Sequence, residues 1–103
     1  MELKSQIAKA IQEGLQARGT GPRCGAGRAY VLLGKTDRKT LLAFQGAAKQ
    51  VGLKYLPEAY GAGKRALYVG YDNFDGTAIA QSELIAEKLK AVGLPVYAEA
   101  VAD

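Results

Sequence analysis

From residue 28 onward the chain alternates short β-rich runs with helix-length amphipathic stretches, and each helical stretch ends in a glycine. Arg28 to Leu33 is apolar and β-prone and stops at Gly34. Thr36 or Asp37 can cap the helix that follows, with Leu41, Leu42, Phe44, Ala48 and Val51 as its buried face and Gly52 as its stop. Leu53 to Tyr60 reads as a strand, and Pro57 places it on a sheet edge because proline cannot donate to a ladder. After the turn at Gly61–Gly63, Arg65 to Tyr71 is the most strand-like run of the chain. A helix begins beyond Asp75-Gly76, with Ala78, Ser82, Ile85, Ala86, Leu89 and Val92 facing inward and Gly93 ending it. Pro95 to Val101 supplies a last strand.

This order is β-α-β-β-α-β. Right-handed crossovers put both helices on one face of a four-stranded antiparallel sheet and make the first and third strands central. The expected class is therefore α+β, a ferredoxin-like sheet over residues 28–103. In front of it Leu3, Ile7, Ile11 and Leu15 recur every four residues, which predicts an amphipathic helix over 1–18 with one narrow apolar stripe. Residues 19–27, with four glycines and a proline, read as a linker. The far face of the sheet is bare unless that first helix or a second subunit covers it. The edge strand and the uncovered face together predict a homodimer.

Charge divides along the chain. Residues 18–65 carry ten bases against two acids, and residues 66–103 carry two bases against six acids. One region of the fold should attract anions, which favours nucleic acid or an acidic protein as partner. There is no histidine, and Cys24 is the single cysteine, so histidine-assisted nucleophiles, disulfides within the chain and thiolate or imidazole metal sites cannot be built. Cys24 is expected to be exposed beside Arg23 and Arg28. No apolar run reaches the roughly 20 residues a membrane helix requires. An amphipathic start, MELKSQIAKAIQEG, points to a cytoplasmic protein without a membrane role. Neither a cofactor nor a metal is expected.

The segment Lys64-Arg-Ala-Leu-Tyr-Val-Gly-Tyr71 resembles the longer signature of the RNA-recognition motif. Lys64, Tyr68, Val69 and Tyr71 match it, while Arg65, Ala66 and Leu67 depart from it. Tyr30 falls where that family's shorter signature places a stacking aromatic. The resemblance implies Tyr30 and Tyr68 as platforms for unpaired bases, with Arg28 and Arg65 on phosphate. Arg18, Arg23 and Arg28, spaced along a glycine-rich segment, would also suit an arm that tracks phosphates.

Over residues 29–101 the chain also resembles the ACT domain, in Gly34-Lys-Thr-Asp-Arg-Lys-Thr-Leu-Leu-Ala43 and in Leu67-Tyr-Val-Gly-Tyr-Asp-Asn-Phe-Asp-Gly76. Asp37, Arg38, Leu41 and Leu42 match the family, and Lys39-Thr40 stands where it has Pro-Gly. That resemblance implies a dimer that binds a small molecule at the subunit boundary. Asp72 and Asp75 faintly resemble the second acidic motif of the Toprim fold with one residue too many between them; turn formation and capping by Asp75 are the ordinary reading. Gly34-Lys35-Thr36 lacks the glycine five residues earlier that a phosphate loop needs.

The expected function is a non-enzymatic binding module for nucleic acid or a nucleoprotein. Arg28, Lys35, Arg38, Lys39, Lys64 and Arg65 would hold phosphates, and Tyr30 and Tyr68 would stack on bases. The alternatives are an ACT-like small-molecule-binding regulatory dimer and a small protein-interaction or inhibitor domain with a basic surface.

Overall fold

A computed structural model describes residues 2–21, 26–59 and 64–102. Its elements are α1 (Leu3–Gly14), β1 (Ala26–Leu33), α2 (Arg38–Val51), β2 (Lys54–Ala59), β3 (Lys64–Asn73), α3 (Thr77–Val92) and β4 (Val96–Ala102). The four strands form one antiparallel sheet in the order β2-β3-β1-β4, which puts the proline-bearing strand on an edge. Pairing between β2 and β3 is irregular between Leu56 and Ala59, the stretch that holds Pro57. No helix among the described residues is long and apolar enough to cross a membrane.

Successive strand residues point to opposite faces, and one face carries the main core. Ala29, Val31 and Leu33 of β1, Leu67 and Val69 of β3 and Val96 of β4 pack with Phe44, Ala47 and Ala48 of α2 and Ile85, Ala86 and Leu89 of α3. Asp37 caps α2 by accepting from the Thr40 amide at 2.7 Å, and Gly52 and Gly93 end α2 and α3 in the left-handed conformation at φ 82° and 103°. One expected core residue of α2 lies elsewhere: Leu42 is 51% exposed. Leu41, Phe44, Ala48 and Val51 follow the three-and-four spacing of one stripe, and Leu42 sits about 100° off it.

The first helix is wider in its contacts than its leucine and isoleucine spacing implies. It buries Ile7, Ala8, Ala10, Ile11 and Gly14, because it lies against both α2 and α3 on the core side of the sheet. Small residues set the distances. A β-carbon at Gly14 would lie 2.8 Å from the Ile85 α-carbon, and one at Gly46 would lie 2.8 Å from Lys4 Cδ. Periodicity arguments treat alanine and glycine as neutral, yet here they let backbones approach.

Two of the residues just after α1 make hydrogen bonds. Arg18 Nη1 donates to the carbonyls of Leu15 and Ala17 and so caps its own helix, and the Gly19 amide donates to Thr77 Oγ1 at 3.0 Å. Strand β1 begins at Ala26, two residues before the expected start. The remaining linker residues, Arg23 and Cys24 among them, lie outside the described residues.

Candidate nucleic-acid interface on the open sheet face

The side of the sheet away from the three helices is built by the alternate residues of each strand. On β1 these are Arg28, Tyr30 and Leu32, since Ala29, Val31 and Leu33 enter the main core. Antiparallel register then fixes their neighbours. Arg28 lies between Tyr71 and Val101, Tyr30 between Tyr68 and Glu99, and Leu32 between Ala66 and Tyr97. Strand β2 adds Lys54 beside Tyr68 and Leu56 beside Ala66.

A bulge in β3 puts Tyr71 on this face. Tyr68 pairs with Tyr30 and Gly70 with Ala29, so Val69 is the extra residue. Val69 packs into the helix-side core, and Gly70 also faces the helices, 3.7 Å from Ala78 Cβ at its would-be β-carbon. Alternation resumes one step late, which turns Tyr71 outward and Asp72 inward. Simple alternation from Tyr68 would have reversed both.

Tyr30, Leu32 and Ala66 form a second, smaller apolar cluster with Leu56, Tyr68 and Val101 against it. Tyr30 and Tyr68 meet with ring centroids 5.4 Å apart and planes tilted by 54°. Their accessibility differs. Tyr30 is 7% exposed and is packed into the cluster, whereas Tyr68 is half-buried, and Tyr71 and Tyr97 are 47% and 43% exposed. Four of the six tyrosines of the chain thus share one face, and the outer three carry its accessible rings.

Among the described residues the predicted bases lie in different parts of the fold. Arg28 is exposed on the open face with the tyrosines. Lys35 lies in the β1–α2 connection and Arg38 and Lys39 in the first turn of α2, all three exposed at the end of the sheet where β1 stops. Arg65 pairs with Leu33 and therefore points to the helix side. Its charge acts there on Tyr55, whose hydroxyl burial pushes upward in pKa while Arg65 pulls it back. Tyr55 packs edge-on against Phe44 with centroids 6.0 Å apart, which marks that side as the core side. Lys64 belongs to β3, and its side chain lies outside the described residues.

Lys54, Tyr97 and Glu99 were invisible to motif reading and belong to this face. Alternation in Val96–Ala102 could have paired Tyr97 with Glu99. Only register says that they lie beside Leu32 and Tyr30.

The acidic turn has a structural occupation. Asp72, 1% exposed, accepts from the Gly76 amide at 2.9 Å and from the Ile79 amide at 3.2 Å, and Asp75 accepts from the Thr77 amide at 3.0 Å. Capping of α3 is thus shared, with the buried carboxylate taking two of the orphan donors. No group of three or more histidine, cysteine, aspartate or glutamate side chains is gathered among the described residues. Asp37 is bound to its own helix, and the hydrogen bonds from Thr40 hold its carboxyl below the usual aspartate range.

Comparison with family models, curated proteins and solved structures returns no match to this chain.

Proposed function

We propose that the chain is a non-enzymatic module that binds single-stranded nucleic acid across the open face of a ferredoxin-like sheet. Support for the fold type comes from the β-α-β-β-α-β order after α1 and from β1 and β3 at the centre of the sheet. The observation that carries the function is the cluster of tyrosines on a face that none of the three helices covers. Aromatic rings on an open sheet stack with unpaired bases, and every base has such a face.

Tyr68 is the central platform, with Tyr30 packed beside it, and Tyr71 and Tyr97 extend it along the strands. Arg28 and Lys54 flank the rings and attract phosphate, and Lys35, Arg38 and Lys39 lie at the end of the sheet where a strand leaving the face would pass. Arg65 has no part in this contact.

Titration of short labelled single strands against the protein at several salt concentrations tests the reading. Tyr68→Ala should weaken binding by about 1–3 kcal/mol at an unchanged salt slope. Removal of Arg28 or Lys54 should lower the slope by about 0.7 per contact, because each releases counterion. No affinity at about 50 mM salt overturns the proposal. So does a dimer in sedimentation that Tyr68→Ala dissociates, since the face would then seat a second copy.

A further inference from the structure

We infer that Glu99 makes the open face selective for bases bearing an exocyclic amine, with cytosine preferred to uracil. The inference rests on the single-strand reading above. Its basis is one row across the sheet. Register places Glu99, Tyr30, Tyr68 and Lys54 side by side on β4, β1, β3 and β2, so an acid and a base end the row with two rings between them. Three strand spacings, about 14 Å, separate the ends.

A carboxylate on a surface that binds a polyanion repels phosphate, which by itself costs affinity. That cost is offset where the carboxylate accepts a hydrogen bond from the ligand. Glu99 is exposed, and among the described residues no hydrogen bond or ion pair engages its carboxylate. Tyr97 lies two residues before it on the same face and is 43% exposed, so a ring adjoins the carboxylate along β4 as well as across it. Lys54 draws phosphate at the far end of the row and Arg28 draws it one row beyond Tyr30, beside Val101, so a base lying over the row between them turns its edge to Glu99.

An ionised carboxylate is acceptor-only. It can take a hydrogen bond from the N4 amine of cytosine, as acidic side chains do when they read base edges. The adenine and guanine amines offer the same chemistry. Uracil presents its O4 acceptor at the corresponding position, and two acceptors oppose each other. Cytosine and uracil have rings of equal size, so comparing them isolates the edge from the stacking surface.

The test measures binding of labelled oligocytidylate and oligouridylate of equal length at about 50 mM salt, with wild type, Glu99→Gln and Tyr68→Ala. Wild type should prefer oligocytidylate by about tenfold. Glu99→Gln should bring the ratio close to one, chiefly by tightening the uridylate complex, because an amide both donates and accepts. A wild-type ratio near one, or an unaltered ratio in Glu99→Gln, overturns the inference while binding that depends on Tyr68 leaves the single-strand reading intact. Equal tightening of both oligomers by Glu99→Gln likewise assigns Glu99 a merely repulsive charge and overturns it. Absence of binding to either oligomer fails the single-strand reading itself, and the inference falls with it. Since Glu99 is solvent-exposed, an unchanged thermal melt of Glu99→Gln and Glu99→Ala verifies that folding is not the cause.

Discussion

The two faces of the sheet are built from the same four strands and differ in almost every physical respect. The helix side is filled by aliphatic residues and Phe44 under three helices, and Asp72, the one buried acid among the described residues, has both carboxylate oxygens hydrogen-bonded. The open side has a thin apolar floor of Leu32 and Ala66 with tyrosines and charges standing over it. Tyrosine suits a solvent-facing surface, because its ring buries area while its hydroxyl remains solvated. The contrast separates where stability resides from where recognition can be placed without loss of the fold.

The largest effect that would break this comparison is on the helix side. Phe44→Ala should lower unfolding free energy by about 3–5 kcal/mol in denaturant titration, since the ring is fully buried. A loss comparable to that of an exposed residue would mean the main core is elsewhere. Asp72→Ala should cost about 2–3 kcal/mol, because the Gly76 and Ile79 amides lose a charged acceptor at a buried helix start. Asp72→Asn, which keeps one carbonyl acceptor, should recover part of that loss.

Effects on the open side should be small in stability. Tyr71→Ala and Tyr97→Ala should each change unfolding free energy far less than Phe44→Ala, by about 1 kcal/mol or less, because nearly half of each residue is exposed. A loss near that of Phe44→Ala would show that these rings hold the fold together. Arg65→Ala sharpens the division further: it should leave the salt slope of strand binding unchanged, whereas Arg28→Ala should lower it. Equal slopes for both variants would undo the assignment of Arg65 to the helix side.

The smallest effect is at the α2 cap. Asp37 has a lowered pKa in the folded chain, so its contribution is present above the ordinary aspartate value of 3.8 and is lost as pH falls through the lower folded value. Acid titration of stability in wild type and Asp37→Asn should therefore converge at low pH and separate above it.

Much of the chain could be read in one dimension. Helix stops at Gly52 and Gly93, the cap at Asp37, the core stripes of α2 and α3 and the edge position of the proline strand all depend on neighbours within a few residues. Leu42 is apolar but lies one residue round from the Leu41, Phe44, Ala48 and Val51 stripe, so its apolar identity does not place it in the core. Tyr30 and Tyr68 were legible as strand aromatics; that Tyr30 is buried and Tyr68 partly exposed was not. Arg65 looked equivalent to Arg28 because both are bases on central strands. Which face each one occupies depends on register, and register depends on a partner strand more than thirty residues away in sequence.

What the sequence determined by itself was the succession of elements, because periodicity, capping and chain-stopping residues act locally. Tertiary structure alone decided which side chains share a surface. A single extra residue at Val69 reverses the faces of everything after it in β3, turning Tyr71 toward solvent and Asp72 toward the α3 amides. It also decided the place of α1, whose alanines and glycine carry no strong pattern of their own but fit closely between α2 and α3 and so leave the tyrosine face open.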